Sequence, residues 1–231
     1  MVSGLKLVAT CLYLLLWPAL LLLLGGDWRW AHGWAFGAWF VAMSAHVIIW
    51  LYLKDPALLA ERFRKPGTGG QSRRDLIIVY VLGLDFLGWF AVMPLDARRF
   101  HWTPPLPARV AIATTVAGGV MLALAWLLLF RAFHDNTFLS PLARVQTERK
   151  QTVVSTGVYG FVRHPMYLGA VLMFFGAPLF LGSSLGLVFA LGMVGILVKR
   201  IGLEEALLVN ELEGYEDYRR RVRWRLVPHL W

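Results

Sequence analysis

A chain of 231 residues that is 58% hydrophobic and only 16% charged lies outside the range of water-soluble domains, where charged residues are about a quarter, and reads as an integral membrane protein. Its net charge of +9 does not point to nucleic acid, because the basic residues follow the ends of the apolar runs rather than forming a patch. Cys11 stands alone, which excludes an intrachain disulfide and a cysteine-based metal site.

The first apolar run, Leu7 to Leu24, follows Lys6 and has about the length of a bilayer span. It lacks a small-residue cleavage site and more spans follow, so it reads as an uncleaved first helix. The runs Trp30 to Leu53, Leu76 to Leu95 and Val110 to Phe130 are each long enough to cross a core of about 30 Å at about 1.5 Å per residue. Asp85, in the middle of the third run, has to pair within the bundle or face a polar cavity. From Arg131 to Val162, Pro141, Gly157 and the β-favouring Thr152-Val153-Val154 predict an irregular, partly extended flap, and long loops of this kind are often functional. Two shorter runs, Met166 to Leu181 and Leu185 to Val198, are separated only by Gly182-Ser183-Ser184, which predicts an antiparallel helical hairpin. Beyond it, Glu204 to Tyr218 reads as a helical continuation of the last span, followed by the basic stretch Arg219 to Arg225 and a stop at Pro228.

The expected fold is an all-α, polytopic transmembrane bundle of about six spans, its last two forming the hairpin. It makes one membrane domain over residues 1–231, with four spans in 1–130 and a catalytic region in 131–231. Six crossings put both termini on one side. With the N-terminus inside, nineteen lysines and arginines fall in inside segments and only Arg29, Arg98, Arg99 and Arg109 outside. The positive-inside rule then places both termini in the cytoplasm.

Two polar clusters sit at membrane boundaries, where charge is expensive and often functional. In the first, Pro165 suits the first position of a helix, so Arg163 and His164 lie at its positive end, which is suited to hold a carboxylate. Tyr159 and Tyr167 flank them, and Gly157 and Gly169 leave room for close backbone approach. In the second, Arg200 precedes Glu204 by four residues, the spacing of a surface ion pair, while Glu205 lies about 100° further round the helix. On the residues alone both clusters can also be read as interface anchors. A hairpin would make Arg163-His164 and Glu204-Glu205 neighbours with a polar pocket between them. His46 is the only histidine well inside a span, so a bis-histidine haem within the chain is not expected. Neither a Walker-type loop nor a Gly-x-Gly-x-x-Gly motif after a strand is present in the sequence.

The run Asn136-Thr137-Phe138-Leu139-Ser140-Pro141, then Val145-Gln146, Thr156-Gly157-Val158-Tyr159, Val162-Arg163-His164-Pro165-Met166-Tyr167-Leu168-Gly169, and Glu204-Glu205 with Tyr215, Tyr218 and Arg221-Val222 resembles the isoprenylcysteine carboxyl methyltransferase family of membrane enzymes. Asp55-Pro56-Ala57-Leu58-Leu59-Ala60-Glu61-Arg62 is similar to that family's segment after an early span. The resemblance covers the last hundred residues well and the first hundred loosely. It implies that S-adenosylmethionine binds at the cytoplasmic side, held by Tyr159, His164, Tyr167, Glu204 and Glu205, with Gly157, Pro165 and Gly169 shaping the pocket. It also implies that Arg163 and Arg221 orient the carboxylate of a lipophilic, isoprenylcysteine-like acceptor. Here Arg223 and Arg225 follow Val222 where the eukaryotic members have proline, so they are alternates to Arg221. Two other activities share parts of the pattern. NADPH-dependent membrane reductases of sterol-like lipids share the Arg-His-Pro element, and in phospholipid or amine N-methyltransferases Glu205 would be a candidate base.

Overall fold

The structure, a computed structural model, describes residues 4–231, the side chains at 5, 7 and 11 excepted, so the first three residues of the expected domain lie outside the described residues. Eight α-helices follow in chain order: α1 (Gly4–Gly25), α2 (Ala31–Lys54), α3 (Pro56–Arg62), α4 (Arg73–Pro94), α5 (Ala108–Asp135), α6 (Pro165–Leu181), α7 (Ser184–Glu211) and α8 (Tyr215–Arg221). No strand occurs among the described residues. Five of the helices, α1, α2, α4 with its continuation to Phe100, α5 and α7, are long and apolar enough to cross a membrane. Helix α6 has 17 residues, roughly 25 Å, and is the short member, as its apolar run suggested.

Helix starts follow local chemistry. Asp55 Oδ1 accepts from Leu58 N at 2.9 Å and Pro56 opens α3, while Ser72 Oγ accepts from Asp75 N at 3.1 Å to start α4. The hairpin turn forms as expected: Gly182 takes a left-handed φ of 83°, and Ser183 Oγ accepts from Gly186 N at 3.0 Å to cap α7. Asp96, in a π-helical turn after α4, accepts from Ser183 Oγ at 2.7 Å and from Leu185 N at 3.2 Å, which ties the hairpin to α4. Helices α5 and α6 approach so closely that a Cβ on Gly118 would lie 2.4 Å from Phe180 N.

The interior is one apolar cluster that includes Leu22, Phe36, Trp89, Met93, Met193 and Ile201, with Trp89 Nε1 donating to Phe174 O at 3.1 Å. Several helices outrun the apolar segments that announced them. Helix α5 continues from Phe130 to Asp135 and α7 from Val198 to Glu211, because composition marks the membrane edge while the backbone ladder continues into water. The tail is not one helix, since Gly214, at φ 80°, breaks it between α7 and α8. Asp85 faces Gly192 on α7, and its Oδ2 is buried without a hydrogen-bond partner among the described residues.

Candidate active site

The flap leaves α5 at Asn136 and returns to α6 at Pro165 with two short 3-10 turns and no strand. Its second turn is tied to α5, where Asp135 Oδ2 accepts from Val158 N at 2.9 Å. A Cβ at Gly157, whose φ is 59°, would lie 2.0 Å from that oxygen, so the turn requires glycine. Tyr159 is thereby buried beside α5, its hydroxyl donating to Ala132 O at 3.3 Å. Burial pushes the phenols of Tyr159, Tyr215 and Tyr218 up, so they remain protonated donors at neutral pH.

The hairpin brings the two polar clusters together. Arg163 Nε donates to Glu205 Oε1 at 2.7 Å, and His164 Nε2 lies 3.1 Å from the same oxygen. Arg225 Nε donates to Glu205 Oε2 at 2.9 Å. The tail crosses over this centre as irregular backbone: Arg163 N donates to Trp224 O and His164 N to Arg225 O, both at 2.9 Å. Arg163 Nη1 also donates to Val222 O and Arg223 O at 2.7 and 2.9 Å. Glu205, 3% exposed, therefore joins α6, α7 and the tail.

Its neighbour Glu204 behaves differently. Tyr167 OH donates to Glu204 Oε2 at 2.7 Å, and the Tyr167 ring stacks on His164 at 5.6 Å and 17°. Glu204 faces a narrow cleft of about 80 Å³. The α6, α7 and α8 side of the cleft carries His164, Pro165, Tyr167, Glu204, Leu208, Tyr215 and Tyr218, and the flap side carries Phe138, Arg144, Gln151 and Val153. Val145 and Val153 of the flap pack on Leu212, Tyr215, Tyr218 and Val222, closing the two sides at one edge.

The flap is pinned from the first half of the chain. Glu61 Oε1 accepts from Ser140 Oγ at 2.7 Å and from Arg144 Nε at 3.0 Å, and its Oε2 accepts from Arg144 Nη2 at 3.0 Å. Asp75 Oδ2 accepts from Ala143 N at 3.0 Å, and Asp55 accepts from Thr137 Oγ1. Arg200 lies 3.2 Å from Asp75 and donates to Pro141 O, so it braces the flap and is not the surface partner of Glu204. Arg144 holds the Glu148 carboxyl down at about 2. Burial pushes Glu61 up, but hydrogen bonds from Arg144 and Ser140 outweigh it and leave the carboxyl below its ordinary value.

Of the residues singled out in the sequence, Tyr159, Arg163, His164, Pro165, Tyr167 and Glu204 line the cleft. Gly157 serves the turn, and Gly169 packs on Leu129 of α5. Glu205 is outside the cleft lining, with both oxygens engaged by Arg163, His164 and Arg225. Arg221 is exposed at the end of α8, and Arg225 belongs to the Glu205 centre. Arg144 and Gln151 were missed, while Phe138, Tyr215 and Tyr218, quoted within the family-like runs but given no role there, also line the cleft.

The molecule is thus an apolar helical bundle of the membrane-spanning kind, carrying a cleft lined by a carboxylate and aromatic rings. Residues 113–213 match the family model of the phospholipid methyltransferases. The chain is 33% identical over 85 residues to protein-S-isoprenylcysteine O-methyltransferase of Schizosaccharomyces pombe, covering 36% of each chain. It is 31% identical over 169 residues to methanethiol S-methyltransferase 2 of Bradyrhizobium diazoefficiens, covering 62% of this chain and 64% of that one. It is also 38% identical over 74 residues to methanethiol S-methyltransferase of Mycobacterium tuberculosis, covering 31% and 30%. The aligned part thus spans about a third of two of these relatives and just under two thirds of the other. Over these stretches the chain is similar to phospholipid, isoprenylcysteine and methanethiol methyltransferases, and the activities named for those proteins imply a methyl donor.

Proposed function

We propose that the protein transfers a methyl group from S-adenosylmethionine to a lipophilic acceptor, with the cleft on the cytoplasmic side as the distribution of lysine and arginine expects. The carrying observation is Glu204, a carboxylate fixed by Tyr167 but open to a cleft walled by aromatic rings. The donor set fits the cofactor. Glu204 suits its cationic groups, the rings of Tyr159, His164, Tyr167, Tyr215 and Tyr218 suit its adenine and sulfonium, and the uncapped start of α6 suits its carboxylate.

Bound there, the cofactor would supply a methyl group on a sulfonium, the acceptor's lone pair forming the new bond as the methyl–sulfur bond breaks and its electron pair stays on the sulfur. The chain's own part is to position and to exclude water. Tyr167 fixes Glu204, the stacked His164 fixes the Tyr167 ring, and the flap covers the cleft. A carboxylate acceptor arrives ionised and needs no base. An amine would need one, and Glu205, the sequence candidate, is committed to Arg163, His164 and Arg225.

Thermal shift in detergent tests this reading. S-adenosylhomocysteine should raise the melting temperature and NADPH should not, and Glu204→Gln should weaken S-adenosylhomocysteine at least tenfold, about 1.4 kcal/mol, while the unliganded melting temperature stays put. Stabilisation by NADPH alone would favour the reductase reading instead.

A further inference from the structure

The end of the bundle opposite the cleft holds a cavity of about 330 Å³, within the range of small-molecule sites. Thr114 lines it near the start of α5, and the flap leaves that helix at its other end, after Asp135, roughly 30 Å away. The cavity wall is mostly apolar, made by Pro104, Pro105, Leu106, Ala111, Phe180 and Leu181. Asp96 also lines it, but its carboxylate is already met by Thr103 N at 2.9 Å, Ser183 Oγ at 2.7 Å and Leu185 N at 3.2 Å.

At His101 the cavity meets an open basic groove, which that residue lines together with Gly26, Asp27, Arg98 and Arg99. Arg98 Nε donates to Asp27 Oδ2 at 2.7 Å, so these two charges cancel. Arg99 has no such partner. Among the described residues its guanidinium meets only Leu23 O, 3.5 Å from Nη1, and the face of the Phe100 ring at 5.6 Å, which leaves its charge and most of its donors unused. His101 closes the π-helical turn Leu95–Phe100 in left-handed backbone, at φ 49°, and irregular turns of this kind recur at functional sites. Trp28, Phe100 and Trp102 are exposed at this end of the bundle, and such rings settle at headgroup level. A cation without a counter-charge thus stands at headgroup level beside an apolar cavity.

We propose that this end of the bundle binds one anionic phospholipid, with its phosphate on Arg99 and His101 and part of an acyl chain in the cavity. A guanidinium suits phosphate through paired N–H donors. The surplus charge of Arg99 favours a lipid of net negative charge, because Asp27, matched by Arg98, offers a zwitterionic head no free anion for its ammonium. The cavity favours a lipid over a soluble phosphate, which has nothing to place there. The site is separate from the cleft and does not depend on the methyl-transfer reading.

The test uses the full chain, stripped of lipid in a non-ionic detergent, with phosphatidylglycerol, phosphatidylcholine and glycerol 3-phosphate as probes. Phosphatidylglycerol should raise the melting temperature saturably and remain bound as a single molecule per chain in native mass spectrometry, whereas phosphatidylcholine should do neither. Arg99→Gln should weaken phosphatidylglycerol by about tenfold or more, and Ala111→Phe, which fills the cavity, should weaken it as well. Where Ala111→Phe lowers the melting temperature of the lipid-free chain, Leu106→Asp on the exposed loop takes its place. Arg109→Gln is the control, since Arg109 lines neither space, and it should leave the affinity unchanged. Equal stabilisation by phosphatidylcholine, or equal losses from Arg99→Gln and Arg109→Gln, would mean diffuse anchoring at the interface and overturn the proposal. Glycerol 3-phosphate binding as tightly as the lipid, or a cavity variant that binds the lipid normally, would overturn it too.

Discussion

The two sides of the cleft are held in different ways. The side made by α6, α7 and the tail is fastened within itself, around a buried carboxylate that three basic side chains surround. The flap side is fastened from elsewhere, by Asp55, Glu61 and Asp75, none of which lies in the stretch 113–213 that matches the family. The residues proposed to bear the chemistry are thus concentrated in one half of the chain, while the shape of their cleft depends on the other half.

That difference can be broken most severely at Glu205. Removing the carboxylate leaves Arg163 and His164 buried and uncompensated, and loss of one partner of a buried pair costs about 3–5 kcal/mol. Glu205→Ala should therefore lower the melting temperature sharply and release the tail to protease, with ligand binding lost as a consequence. A variant that melts normally yet fails to bind S-adenosylhomocysteine would restore Glu205 as a cofactor ligand. Glu204→Gln should show the opposite pattern, binding lost and stability kept.

Glu61 offers the matching break on the flap side. Glu61→Gln weakens charge-assisted bonds worth about 1.5–3 kcal/mol, on a segment whose opening need not unfold the bundle. Cleavage between residues 136 and 154 should rise, and S-adenosylhomocysteine should bind several-fold more weakly, with a smaller drop in melting temperature than Glu205→Ala gives. The exchange Glu61→Arg with Arg144→Glu should recover part of the affinity. No recovery, or a full-scale melting loss, would make Glu61 a residue of the global fold rather than of the flap.

The hairpin side was legible in the sequence because its signals are local. A glycine-serine turn between two apolar runs and a proline after histidine suffice to place Arg163-His164 beside Glu204-Glu205. Which glutamate faces the cleft was not legible, since the choice depends on Arg225, twenty residues beyond Glu205, and on carbonyls of an irregular tail with no periodic pattern. The flap anchors were hidden for the same reason in stronger form. The bond from Ser140 to Glu61 spans 79 residues and that from Thr137 to Asp55 spans 82, and a lone acidic residue after a helix start announces only a cap. The pairing expected from i, i+4 spacing, Arg200 with Glu204, lost to Asp75, because Arg200 is buried toward the flap. A buried guanidinium takes the partner that shares its burial.

Acid should loosen the flap most gently. Glu148 is held at about 2 by Arg144, against an ordinary value of 4.5, and Glu61 is also held below 4.5. A carboxyl whose value is lower in the folded state contributes stability that is fully present above 4.5 and is lost as pH falls toward the folded value. The flap should therefore loosen between about pH 4.5 and 2, read as faster amide exchange over residues 136–154. Glu148 is about half exposed, so its share is small and should shrink further in high salt, whereas the buried Glu61–Arg144 pair should respond little to salt. Exchange in the flap that is flat from pH 5 to pH 3, or that changes equally with salt at every flap position, would mean that these ion pairs do not hold it closed.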